Sequence, residues 1–363
     1  MEQLPRGTIK NKPEDFVVDE IPAYEPSGEG CHLYVHFRKT NLTTDDAVRA
    51  FAQALGVERR DVGVAGLKDK VGVTSQWISV PAADASLDDR VAALTLPGIE
   101  ILEHRRHGNK LKTGHLRGNR FAIVVRDVDP AKLGEIAQRL DRIRDEGVPN
   151  AFGAQRFGRE GDTHERARAW LTGRERPPRD PRLRRFQFSA LQSAIFNAVL
   201  AARVDDGCWN RPLLGDLLKK EDTGGIFVCT DVQIDCERAI RGEVCPTGPI
   251  VGDRMRQPEA DALLLEQRIC APFIEGIDLH RARSLGEGTR RQLRLRVAEL
   301  SHSRVDSSVD ETFSSDRDAT GCAMSVQFVL PKGAYATTVL SNAFALLDAA
   351  REERQLTTMT EEE

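Results

Sequence analysis

The chain has 363 residues, more than a single hydrophobic core usually organises, so two domains or one domain with a large insertion are expected. Hydrophobic residues make up 40% and charged residues 30%, which suits a packed globular protein, and no run of about 18 apolar residues exists to span a bilayer. A net charge of −4 excludes a bulk electrostatic binder of polyanions; a nucleic acid would have to be met by a local basic patch.

The opening Met1-Glu2-Gln3-Leu4-Pro5-Arg6-Gly7 carries no apolar stretch of the kind a secretory leader needs, so a cytoplasmic location is expected. The seven cysteines are odd in number and contain no C-x-x-C pair. Cys208, Cys229, Cys236, Cys245 and Cys270 fall in one region without metal spacing, and reduced thiols are expected. His104 and His107 flank Arg105-Arg106, a cationic setting ill suited to a metal. No Walker A run is present and no Gly-x-Gly-x-x-Gly follows a strand, so neither a nucleotide cofactor nor a metal is expected.

In chain order, Ile9 to Asp15 reads as a Pro-led loop running into a strand at Phe16-Val17-Val18. Leu33-Tyr34-Val35-His36-Phe37-Arg38 alternates apolar and polar residues as a second strand. Pro26-Ser27-Gly28-Glu29-Gly30 fits a hairpin turn between them. Thr43 or Thr44 caps a helix with Val48, Phe51 and Leu55 on its apolar face and Gly56 as its C′ residue. Then comes Ala65-Gly66-Leu67-Lys68-Asp69-Lys70, a turn with a carboxylate at its tip between two lysines, leaving through Val73, Gln76 and Trp77. Two flanking cations keep an acid ionised on an exposed loop, although Asp and Gly are also ordinary turn residues.

Residues 105–126 form the most basic window, with Arg105, Arg106, Lys110, Lys112, Arg117, Arg120 and Arg126 punctuated by Gly108, Gly114 and Gly118, and with Phe121-Ala122-Ile123-Val124-Val125 reading as a strand. A glycine-interleaved basic loop there lets guanidinium forks and backbone N–H groups approach phosphates, with Arg117 and Arg120 as candidates. Asp129-Pro130 opens a helix with Leu133, Ile136, Leu140 and Ile143 on one face, ended by Gly147. Val148-Pro149-Asn150-Ala151-Phe152-Gly153-Ala154-Gln155-Arg156-Phe157-Gly158 follows, dense in amide, aromatic and Arg groups that can read or stack on a base. Arg176-Pro177-Pro178-Arg179-Asp180-Pro181 reads as a linker, and residues 188–203 as an amphipathic helix. Residues 301–318 read as a return linker, 323–330 as a strand and 337–350 as a helix, with a disordered tail over 357–363. The expected division is a first domain of 1–175 with 306–363 and an inserted domain of 176–305.

Four stretches together resemble the TruD family of tRNA pseudouridine synthases: Lys12-Pro13-Glu14-Asp15-Phe16-Val17-Val18-Asp19-Glu20; the Ala65 to Lys70 turn with Val73-Thr74-Ser75-Gln76-Trp77; Gly147 to Gly158; and Leu330-Pro331-Lys332-Gly333-Ala334-Tyr335-Ala336-Thr337-Thr338-Val339-Leu340. They occur in order along nearly the whole chain. The match weakens after Leu340, where Ser341-Asn342-Ala343 replaces the family's usual Arg-Glu-Leu, and through the middle of the insertion. The resemblance implies an α+β fold: a pseudouridine synthase catalytic core with a bent mixed or antiparallel sheet, plus an inserted α+β TruD domain closing an RNA cleft. It implies isomerisation of uridine to pseudouridine at position 13 of tRNA. The catalytic aspartate falls on Asp69, and other substrate contacts fall on Phe16, Asn150 and Phe328.

That chemistry breaks C1′–N1, turns the uracil and joins C1′ to C5, so atoms are conserved and no cofactor is expected. It requires an ionised carboxylate near C1′, as nucleophile or as base toward a sugar proton. The detached uracil is an anion, for which Lys10 and Asn150 are candidate stabilisers. An extruded base must be held while it rotates, and an aromatic face tolerates rotation; Phe16, Phe152 and Phe328 are candidates. Lys68, Gln155 and Arg156 are further candidates for contacts to RNA or to Asp69. The expected partner is tRNA, with no membrane or obligate protein partner and a monomeric enzyme. A non-catalytic tRNA-binding or folding protein on the same fold, and an RNA glycosidase releasing free uracil, are the competing readings.

Overall fold

A computed structural model describes residues 3–82, 86–158, 160–305 and 322–351, apart from the side chains of Ala154 and Gln155. In chain order the strands are β1 (Arg6–Ile9), β2 (Phe16–Pro22), β3 (His32–Thr40), β4 (Gly63–Val64), β5 (Val73–Pro81), β6 (Ile99–His107), β7 (Leu116–Val128), β8 (Val148–Pro149), β9 (Leu217–Lys220), β10 (Ile226–Val228), β11 (Val244–Ile250), β12 (Thr289–Gln292), β13 (Arg294–Leu295), β14 (Ala298–Val305), β15 (Cys322–Pro331) and β16 (Ala345–Asp348). The helices are α1 (Thr44–Leu55), α2 (Ser86–Ala92), α3 (Leu133–Glu146), α4 (Thr163–Leu171), α5 (Pro181–Asp205), α6 (Val232–Ile240), α7 (Ala260–Ile274) and α8 (Ala336–Leu340). The chain divides into two units, residues 1–145 with 297–363, and residues 146–296.

The first unit is built on a mixed sheet in the order β14-β15-β7-β2-β5-β3-β6, with β1 joining β7 and β16, and β4 joining β5. The alternation in β3 explains its position: Leu33, Val35 and Phe37 bury one face against Val48, Phe51 and Leu55 of α1. Its other face sets Tyr34 against Trp77, Ala65, Leu111 and Leu116. The expected caps hold α1: Thr43 Oγ1 accepts from Asp46 N at 3.0 Å, and Thr43 N donates to Asp46 Oδ2 at 3.1 Å. Such a box is worth about 1 kcal/mol, and Gly56 ends the helix at φ 66°.

Four local expectations change. β2 and β3 do not form a hairpin, because β5 lies between them, parallel to β2 (Val17 opposite Val73) and antiparallel to β3 (His36 opposite Trp77). The intervening loop bonds elsewhere, with Gly28 N donating to Arg106 O at 2.9 Å. The basic window is mostly strand, in β6 and β7, with a loop only over residues 108–115. The helix expected over 337–350 stops with α8, and β16 then pairs parallel with β1, Arg6 opposite Ala345. Val339 and Leu340 are buried residues of α8 itself, but beyond it β1 offers an edge that β16 fills. The expected linker over 301–318 begins inside β14, whose Ser301 pairs with Gln327; its remainder and the tail lie outside the described residues.

In the second unit β10-β9-β11-β12 form an antiparallel sheet, and β13 pairs with β8. Leu191, Ile195 and Val199 of α5 bury against Ala167, Val251 and Cys270. The unit's limits are 146 and 296, against the 176 and 305 expected from composition. The Pro and Arg run near 176–181 joins two mutually packed helices, α4 and α5, and residues 298–305 are a strand of the first unit's sheet. All seven cysteines are free, and burial pushes the thiols of Cys229 and Cys270 up to about 12.

Candidate active site

Asp69 stands on the loop between β4 and β5 with 57% of its side chain exposed. Its neighbours hold that loop firmly. The Lys39 ammonium donates to the Asp69 backbone carbonyl at 2.7 Å and to Leu42 O at 2.6 Å. Lys68 N donates to Thr44 Oγ1 at 2.9 Å, and Asn41 N donates to Gly72 O at 3.2 Å. Gly72 has φ 132°, and a Cβ there would lie 2.5 Å from Phe16 O, so only glycine lets the loop leave beside β2. The loop is therefore fixed in its backbone while its carboxylate stays open.

Lys10 is the cation nearest that carboxylate. Its Nζ lies 4.0 Å from Asp69 Oδ1 and 3.5 Å from Asp348 Oδ2, with only 10% of the side chain exposed. The same ammonium sits 4.4 Å from the centroid of the Phe16 ring. Lys10 reaches this place from a positive φ of 63°, a conformation that non-glycine residues adopt rarely. The structure thus brings Asp69, Lys10 and Phe16 together. Phe16 is 2% exposed and edge-on to Phe121, and Phe328 is 1% exposed and stacked on Phe121 at 5.4 Å. Both rings are core residues in this state. Offering a face to a base requires Lys10 or a neighbouring side chain to move.

Lys68 is placed differently from the expectation. Its Nζ donates to Glu20 Oε2 at 2.5 Å, with 4% and 1% of the two side chains exposed, so it faces neither solvent nor a phosphate. Glu20 also accepts from Trp77 N at 3.2 Å. Two buried opposite charges satisfy each other, so the lysine points inward although its neighbour Asp69 points out. Arg117 is exposed, whereas Arg120 is paired with Glu299 at 2.7 Å on the surface.

Asn150, Phe152 and Arg156 belong to the second unit, where Arg291 gathers the first two. Arg291 Nη2 donates to Asn150 Oδ1 at 2.6 Å, and its guanidinium lies 4.2 Å from the Phe152 ring centroid. Asn150 Nδ2 donates to Gln292 O at 2.8 Å, so both ends of the amide are held. Arg156 Nε donates to Ser193 Oγ at 3.3 Å, and its Nη2 donates to Ser189 Oγ. The Gln155 side chain lies outside the described residues.

Lys39 and Arg291 are absent from the expected set. Lys39 has a faint sequence signal, a lysine next to the end of an alternating strand. Arg291 has none, since Arg290 beside it looks identical and is buried against Glu266 instead. Among the described residues no group of three or more His, Cys, Asp or Glu is arranged to hold a metal, and no helix is long and apolar enough to cross a membrane.

The family model described as tRNA pseudouridine synthase D (TruD) matches residues 4–176 and 179–343. The tRNA pseudouridine synthase D of Anaeromyxobacter sp. (strain Fw109-5) is 45% identical, covering 92% of this chain and 91% of that relative. A protein of the same name from Thermus thermophilus is 38% identical over 92% of this chain and 87% of its own. A crystal structure from Methanosarcina mazei assigned to TruD shares the fold, with a TM-score of 0.75 over 95% of both chains at 24% identity. The chain belongs to the TruD family of tRNA pseudouridine synthases.

Proposed function

We propose that this protein isomerises uridine to pseudouridine in tRNA, at position 13, with Asp69 as the carboxylate that acts at C1′. The observation that carries this reading is the open side chain of Asp69 on a backbone tethered by Lys39, Thr44 and Asn41. A carboxylate that must reach an extruded ribose needs a free head and a fixed base, and this loop supplies both. As nucleophile it forms a glycosyl ester at C1′ with departure of the uracil anion; as base it takes a sugar proton and yields a glycal. Both routes end with the C1′–C5 bond and return of the carboxylate.

In this reading Lys10 balances charge as the uracil leaves, being the cation closest to Asp69 and resting over the Phe16 ring. Phe16 and Phe328 hold the detached base, and Asn150, with its amide set by Arg291 and Gln292 O, contacts the nucleoside. In the sequence-based division, residues 1–175 with 306–363 form the catalytic part and residues 176–305 the insertion. The enzyme acts as a cytoplasmic monomer without a cofactor. Carbodiimide mapping of total RNA from cells with and without the gene tests the reading. A pseudouridine stop in tRNA at position 13 that vanishes with the gene supports it. An unchanged map in the absence of the gene removes it.

A further inference from the structure

A cleft of about 740 Å³ opens in the first unit, away from the side chain of Asp69, lined by Tyr24, His32, His107, Lys110, Lys112 and His115. That volume suits a single nucleotide-sized group. Its wall is an organised aromatic array. Tyr24 stacks on His107 with centroids 5.1 Å apart, and Tyr34 packs edge-on against the same imidazole at 4.9 Å. The Tyr24 hydroxyl lies 2.8 Å from His115 Nδ1 and 3.3 Å from the Tyr34 hydroxyl. Tyr24 nevertheless keeps 37% of its surface exposed. A large aromatic fixed by several partners and still open to solvent has the geometry on which a base can stack.

The lining is also cationic. Lys110 Nζ is anchored on Arg60 O at 2.6 Å, and Lys112 is exposed. The wall is also joined to the loop of Asp69: Gly114 N donates to Ala65 O at 2.7 Å, and Leu111 and Leu116 pack with Ala65. Lys332 Nζ donates to Gly114 O at 3.1 Å, which ties a further cation to the same segment. Glu25 also lines the cleft; a carboxylate repels phosphate and can accept from a base N–H.

We infer that this cleft binds one unstacked nucleotide of the RNA substrate outside the target uridine, its base against Tyr24 and Glu25 and its phosphate against Lys110 and Lys112. The inference rests on the reading of the protein as an RNA-modifying enzyme. Occupancy would fix the segment that buttresses the Asp69 loop, so RNA bound here supports the catalytic loop through Ala65. Base stacking on a tyrosine tolerates any base, whereas Glu25 favours bases that present an N–H donor.

The test uses the full chain carrying Asp69→Asn, so that binding is measured without turnover, and labelled unmodified tRNA as the probe. Adding Tyr24→Ala should raise Kd about tenfold or more, while Tyr24→Phe, which keeps the ring, should restore most of it. Adding Lys110→Gln with Lys112→Gln should weaken binding and reduce the slope of log K against log salt by about one to two. Circular dichroism and a thermal melt establish that each variant is folded. Folded Tyr24→Ala and double-lysine variants that bind tRNA within twofold of the parent would overturn the subsite. A wild-type chain that forms pseudouridine, with tRNA binding by those variants unaffected, refutes the subsite alone, whereas a wild-type chain that makes no pseudouridine refutes the reading beneath it.

Discussion

The Lys39 ammonium, itself fully buried, donates to the backbone carbonyl of Asp69 at 2.7 Å, so the proposed catalytic residue is held from behind by a cation it does not touch with its carboxylate. Desolvation pushes the Lys39 ammonium down to about 8, opposed by attraction to the Asp69 carboxylate and reinforced by repulsion from Lys68. The folded pKa lies below the unfolded one. Between about 8 and the ordinary lysine value of 10.5 the unfolded chain therefore binds the proton that the folded chain has released, and this group's contribution to stability rises with pH across that window. Turnover should run the opposite way. As Lys39 loses its charge, the pull on the Asp69 carbonyl weakens, and single-turnover rates should fall through an apparent pKa near 8. Lys39→Arg, which stays charged, should lose that alkaline limb. The same limb in both proteins would separate Lys39 from the loop's function.

Phe16 packs as a core residue and is also the aromatic nearest the Lys10–Asp69 pair. Phe16→Leu keeps most of the apolar volume and should cost about 1–2 kcal/mol of stability in denaturant unfolding. If the ring also holds the detached uracil, kcat should fall about tenfold or more while tRNA Kd changes by no more than a few-fold. An unchanged kcat with lowered stability would leave Phe16 as packing alone.

Lys68 and Glu20 form a buried pair, 2.5 Å apart, beside the exposed acid. Lys68→Met leaves the Glu20 carboxylate buried without its partner, and unfolding should show a loss of about 3–5 kcal/mol. Glu20→Gln combined with Lys68→Met should recover part of that loss, because the stranded charge is gone. The salt dependence of tRNA binding should not change. Intact stability with a shallower salt slope would instead make Lys68 a phosphate contact.

Sequence and structure agree where the determinants are local. The capping box at Thr43 and Asp46, the αL ending at Gly56 and the open carboxylate at Asp69 all follow from neighbouring residues, and all are present. They part where partners are distant. Lys68 and Lys70 look equivalent in sequence, and only Glu20, 48 residues earlier, decides that Lys68 turns inward. Pairing β5 between β2 and β3 is likewise a long-range choice that no turn signal encodes. Residues 345–348 fall within the helix expected from sequence, yet they pair with β1 as a strand. Lys39 and Arg291 were hidden for the same reason: each is defined by one distant acceptor, Asp69 O or Asn150 Oδ1.

The most direct measurement is pseudouridine formation on unmodified tRNA by Asp69→Asn, under single-turnover conditions beside wild-type protein. The substitution keeps shape and the Lys39 contact to the backbone carbonyl, and removes only the charge that the chemistry uses. The rate should fall by roughly 10³-fold or more with tRNA affinity within a few-fold of wild type. Turnover within tenfold of wild type would contradict the assignment of Asp69 as the carboxylate that acts at C1′.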